Sequence, residues 1–203
     1  MTQERSPGLS TLSRGARDQR TIPYGHPLTE HRYAPRKTPE QIVGERGMTV
    51  LDLEGMSIRE LEEMGGQLNL PLLGLSNRDE EDLRNSRSMR ARVAIDTHFA
   101  LPGSYGGSME EQTMLLNTYR RELWIEAPGV EVYAGTLADH VEAICRLGDY
   151  TGGDLAVTTT TAPGSNGNRM AIGDYHPNRG YDVAMVSSYG QNNVGIFPFV
   201  VLS

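Results

Sequence analysis

Two short patterns in this 203-residue chain combine side chains that could do chemistry, Asp96-Thr97-His98 and Asp174-Tyr175-His176. Alternate residues of an extended strand share a face, so each pattern sets a carboxylate beside an imidazole. On neighbouring strands, the two carboxylates and two imidazoles could close on a divalent metal, which defines a metal-dependent enzyme as one alternative. The commoner arrangement is a hydrogen-bonded Asp–His pair at a strand end. That reading is preferred, and no residue is assigned a catalytic, cofactor-binding or metal-binding role. His140 follows Asp139 within a helical pattern, where adjacent residues do not face each other. The single cysteine, Cys145, excludes an internal disulfide framework and reads as a structural thiol on an amphipathic helix.

The sequence contains no nucleophile elbow, P-loop, dinucleotide fingerprint or Cys/His metal spacing. Gly103-Ser-Tyr-Gly-Gly107 and Gly152-Gly153 read as plain loops. The chemistry-bearing residues thus point away from catalysis.

The elements around them are clearly punctuated. Ser57-Ile-Arg-Glu60 is a capping box, with Met56 and Leu61 at the positions of a hydrophobic staple and an apolar stripe through Ile58, Leu61 and Met64. Ser76 and Asp79 open a second helix whose acids precede its arginines, Arg84, Arg87, Arg90 and Arg92, as the helix dipole favours. The alternation from Val93 to Leu101 predicts a strand. Ser108-Met-Glu-Glu111 opens a helix running to about Glu122 with Met114, Leu115, Tyr119 and Leu123 inward. Leu123–Glu126 and Val130–Ala134 read as a strand pair around Pro128-Gly129. Thr136 caps a helix over Leu137–Leu147 that stops at Gly148. Between the first two helices, Leu68-Asn-Leu-Pro-Leu-Leu-Gly-Leu75 is an apolar connector that must pack on something.

The last third predicts four strands, Asp154–Thr161, Asn168–Tyr175, Tyr181–Ser188 and Asn193–Leu202, separated by Gly, Pro and Asn clusters. The final run is the most apolar in the chain, and it must dock into a core or against a neighbour. The fold class is α+β, with an extended N-terminal arm, a small helical middle region and an antiparallel β-rich C-terminal part. The domain reading is an arm over 1–47 and a body over 48–203, itself divided into a mixed helical region (48–148) and a β region (149–203).

Residues 1–47 hold five prolines and only scattered apolar side chains, too few to offset their own ordering entropy. Such an arm orders only where other chains hold it. It carries eight basic residues against five acidic ones, whereas the remainder carries 11 against 21, giving a chain of net charge −7. A weakly basic arm on an acidic body disfavours nucleic acid, whose binding rests on phosphate neutralisation. The arm arginines and Arg84–Arg92 define the nucleic-acid alternative. No stretch approaches the roughly 18 apolar residues of a membrane span, and the N-terminus lacks the apolar region of a secretory signal. The expectation is a soluble protein made in a reducing compartment.

Two likenesses follow from these features. The Ser57–Val93 segment resembles the small helical modules of Rho-type terminators and SAP domains, without their basic charge. The Pro-rich arm, the few catalytic candidates, the Thr/Gly/Asn-rich β end and the apolar last strand are together similar in character to structural virion proteins of tailed bacteriophages. Capsid decoration (cement), connector and tail components are of this type. That resemblance implies a non-enzymatic protein without cofactors, assembled in the host cytoplasm. Its partners would be other subunits of the assembly, copies of itself included. The expected anchors are Tyr24, Leu28 and Tyr33 in the arm, and Phe197 and Phe199 on a last strand suited to augmenting a neighbouring sheet.

Overall fold

The structure, a computed structural model, describes residues 36–65, 68–70, 74–98, 100–176, 180–187 and 191–202, without the side chains of 174–176. The body begins earlier than the arm reading placed it. Thr38 is extended, its hydroxyl accepts the Gln41 amide, and the Gln41 side chain returns the bond to the Thr38 amide. With Pro39 pre-set for the first helical position, this capping box starts α1 (Pro39–Glu45), which buries Ile42 and Val43. Residues 38–47 therefore belong to the body. Tyr24, Leu28, Tyr33 and the rest of residues 1–35 lie outside the described residues.

Next comes β1 (Thr49–Glu54), which turns Leu51 and Leu53 inward and Asp52 and Glu54 to solvent. It is followed by α2 (Ile58–Glu63), opened by the Ser57–Glu60 capping box, and β2 (Leu68–Asn69). Ser76 caps α3 (Asn77–Asn85), and β3 (Arg90–Ile95) follows. Ser108 and Glu111 form the capping box of α4 (Met109–Glu126), and β4 (Glu131–Tyr133) leads to α5 (Leu137–Leu147). The chain ends with β5 (Leu155–Thr161), β6 (Arg169–His176), β7 (Gly180–Val186), β8 (Val194–Gly195) and β9 (Phe199–Val201).

The fold is α+β with two sheets. One has the order β1-β3-β9-β4 and is antiparallel throughout; the other has the order β2-β7-β6-β5-β8. In the second sheet β2 runs parallel to β7 and β8 parallel to β5, so it is mixed rather than purely antiparallel. The predicted strand Asn193–Leu202 is two strands. Val194–Gly195 joins one sheet, and Phe199–Val201 crosses to the other, with Pro198, which has no amide to donate, between them. This crossing couples the sheets and places β9 in the middle of its sheet.

Register explains the core. Val93, Val201 and Glu131 lie abreast, as do Ile95, Phe199 and Tyr133, whereas Ala94, Val200 and Val132 occupy the row between and face the opposite way. The first face packs with Ile58, Leu61, Leu137, Val141 and Ile144 from α2 and α5. The second packs with Ile42 and Val43 from α1 and Leu123 from α4. Full burial of an aliphatic or aromatic side chain is worth about 1.5–3 kcal/mol, so these two layers hold the sheet and fix α4 against it. Among the described residues, no helix is long and apolar enough to cross a membrane.

Candidate interaction surface

The α4 helix is 18 residues long, about 27 Å at 1.5 Å per residue. Gln112 and Leu123 are buried beneath it, and Leu116 and Tyr119 are half-buried. The helix runs four residues past its predicted end. The Leu123 carbonyl accepts the Ala127 amide at 2.8 Å, the Glu126 carbonyl accepts the Lys37 amide at 3.0 Å, and Pro128 blocks continuation. Helical geometry there buries Leu123 and turns Trp124 and Ile125 outward, with 55% and 68% of their surface in solvent. Met114, expected inward, is 62% exposed. Three large apolar side chains thus stand in water on one helix.

A groove of about 660 Å³ lies on each side of this ridge. The first is walled by Asn117, Arg120, Arg121 and Trp124 and by the free edge of β4. The Leu202 amide donates to Arg92 of β3. By alternation Phe199 and Val201 bond towards β4, and Val132 turns its peptide groups outward. Arg120 Nε and Nη2 donate to the Val132 carbonyl at 2.9 and 2.7 Å, covering the exposed strand edge. Burial, followed by the charge of Asp139, raises the Tyr133 phenol, so it stays neutral; it donates to Met89 Sδ.

The second groove is lined by Tyr105, Gly106, Gly107, Met114, Thr118 and Asn192. Its loop is tied down from below. Ser104 Oγ accepts the Ile196 amide at 3.0 Å, and Gln112 Nε2 donates to the Ser104 and Val194 carbonyls at 3.0 and 3.3 Å. The Tyr105 hydroxyl donates to Asp154 Oδ2 at 2.8 Å, and desolvation first, then that carboxylate, push its pKa up to about 12.

The residues singled out by sequence fall elsewhere. Asp96 and His98 lie in the turn after β3, where Asp96 Oδ1 accepts the His98 amide at 2.9 Å. Asp96 also borders a pocket of about 350 Å³ with Arg46, whose guanidinium sits 5.5 Å from the Tyr119 ring centroid and pairs with Glu126 at 2.9 Å. Asp174 and His176 belong to β6, which pairs with β5 and β7 in the other sheet. The two Asp-x-His strands are therefore not neighbours, and the side chains of the second pair lie outside the described residues. Among the described residues no group of three or more His, Cys, Asp or Glu is placed to hold a metal. Phe197 and Phe199, expected to anchor a neighbour, are 1% and 0% exposed inside this chain's own core. As β9 pairs on both sides, it has no edge to offer another sheet. Arg84 pairs with Glu62 at 2.9 Å and Arg87 with Glu60 at 3.2 Å, so these arginines already serve α2 and α3. Cys145 is half-buried, and burial raises its thiol above the ordinary range.

A second polar cluster, on α5, is closed to solvent. Asp139 accepts from the Thr136 amide and hydroxyl and from the Met89 amide at 2.7–2.8 Å. Glu142 accepts from the Glu54 amide at 2.8 Å, from the Ser88 hydroxyl, and from Arg146 at 2.7 and 3.0 Å. His140 is wholly buried between the Ala134 carbonyl and the Tyr150 hydroxyl. Each of these buried polar groups has its partners, which is what the interior demands of polar groups; the cluster braces α5 against β1, the segment before β3 and the residue after β4. Sequence reasoning missed the exposed Trp124, although extending the α4 pattern by one turn would have turned it off the buried face that holds Leu123.

No family model, curated protein or solved structure matches this chain.

Proposed function

We propose that this chain is a non-enzymatic structural protein of a multi-subunit assembly, and that the α4 ridge is the surface that docks on neighbouring subunits. The setting proposed is a tailed-phage virion, as a cement, connector or tail component. The docking reading is carried by one observation: Met114, Trp124 and Ile125 are each more than half exposed on a single helix. Trp124 and Ile125 are neighbours in the chain, exposed apolar patches mark interaction sites, and tryptophan is among the residues that most often dominate binding energy. The grooves beside the ridge supply the concavity such contacts need. The action is adhesive: the ridge is desolvated between subunits and no bond is made or broken.

Sedimentation equilibrium of the full chain over a wide concentration range tests this reading. The wild type is expected above monomer mass, and Trp124→Ser/Ile125→Ser at monomer mass with unchanged circular dichroism. A wild type that stays monomeric, or a double variant of unchanged mass, overturns it.

A further inference from the structure

The outward stripe of α4 consists of Glu110, Met114, Asn117, Arg121 and Trp124, spaced by four, three, four and three residues. At about 3.6 residues per turn such positions share one face. The charges are placed unequally along it, with Glu110 near the N-terminus and Arg121 near the C-terminus. Glu111 is used by the Ser108 cap and Arg120 by the Val132 carbonyl. Glu110 and Arg121, both exposed, have no ion pair or hydrogen bond among the described residues. Two opposite charges, unpaired among the described residues, thus sit on one stripe, too far apart to meet within one helix.

A second copy satisfies both. Resting on the docking role proposed for α4, we infer that its partner is another copy of this chain, packed antiparallel across a two-fold axis at the level of Leu115 and Leu116. That operation sets Glu110 against Arg121 of the other copy, and Arg121 against its Glu110. It also sets Met114 against Asn117, and Trp124 against Gly107. Gly107, which has no side chain, stands with Tyr105 and Gly106 at the second groove. Each copy therefore offers the Trp124 knob and receives one, as a two-fold interface with the same patch on both subunits requires. A parallel pairing would oppose Glu110 to Glu110 and Arg121 to Arg121, and would set Trp124 against Trp124 rather than against the second groove.

Charge exchange tests the arrangement in the full chain. Glu110→Arg and Arg121→Glu each create two like-charge contacts, so each variant alone is expected to dissociate about tenfold or more readily than the wild type. A one-to-one mixture of the two variants restores both pairs and is expected to regain wild-type association as a heterodimer. The double variant E110R/R121E regains it as a homodimer. If the single variants associate like the wild type, or if the mixture stays dissociated while Trp124→Ser still abolishes association, the two-fold arrangement is overturned and docking through α4 stands. A wild type monomeric at every concentration overturns both.

Discussion

His140 Nε2 lies 2.7 Å from the carbonyl oxygen of Ala134, and this contact fixes the state of the imidazole. A carbonyl can only accept, so Nε2 carries the proton and Nδ1 accepts from the Tyr150 hydroxyl. Desolvation then works against a second proton and lowers the His140 pKa from 6.5 to about 4, against opposing contributions from the Ala134 bond and from Asp139.

Stability therefore depends on pH with a definite sign. A group whose folded pKa is depressed binds fewer protons in the native state than in the unfolded chain. Its contribution is complete above about pH 6.5 and is lost as pH falls towards 4. At about 1.4 kcal/mol per pH unit, the loss at pH 5 is about 2 kcal/mol. Glu60 and Glu111, held below the ordinary carboxylate range chiefly by the backbone amides of their caps, add their losses only at lower pH. Urea unfolding at pH 7 and pH 5 is the check. The wild type should lose about 2 kcal/mol, whereas His140→Gln, which keeps a donor and an acceptor but does not titrate, should lose much less. An equal loss in both proteins contradicts the assignment.

Gly135 is the tightest point of the same region. Its φ is +78°, and a Cβ there would stand 2.6 Å from Phe199 Cε2 and 2.8 Å from His140 Nε2. Left-handed backbone costs a residue with a Cβ about 1–2 kcal/mol, and overpacking costs about 1–3 kcal/mol more. Gly135→Ala should therefore lower unfolding free energy by about 3 kcal/mol or more. Gly129→Ala, at φ +95° with open space around it, should lose only the backbone share, about 1–2 kcal/mol. Denaturant midpoints of the two variants measure the difference; equal losses would show that the Phe199–His140 contact is not rigid.

What could be read in the sequence was local. The caps at Ser57, Ser76, Ser108 and Thr136 are found where expected, because each joins a side chain to a backbone amide three residues on. Thr38-Pro-Glu-Gln41 carries the same signal, hidden by the proline density around it. β1 offered only the short Leu51-Asp-Leu-Glu54 alternation. What was not legible depended on distant partners. Leu123-Trp-Ile-Glu126 has strand-like composition, yet burial of Leu123 with Val132 and Val200 keeps it helical. The last apolar run reads as one strand until its halves are seen to pair with different sheets across Pro198. In the same way, the Asp-x-His patterns were visible, but whether their strands meet was a question of long-range pairing.

Trp124 is the sole tryptophan, so intrinsic fluorescence reports on the proposed docking ridge without a label. The most direct measurement is its emission maximum and iodide quenching as the full chain is diluted. The account predicts a blue-shifted, protected tryptophan at high protein concentration that moves to the red and becomes quenchable on dilution. A solvent-exposed emission and full quenching at every concentration would contradict it.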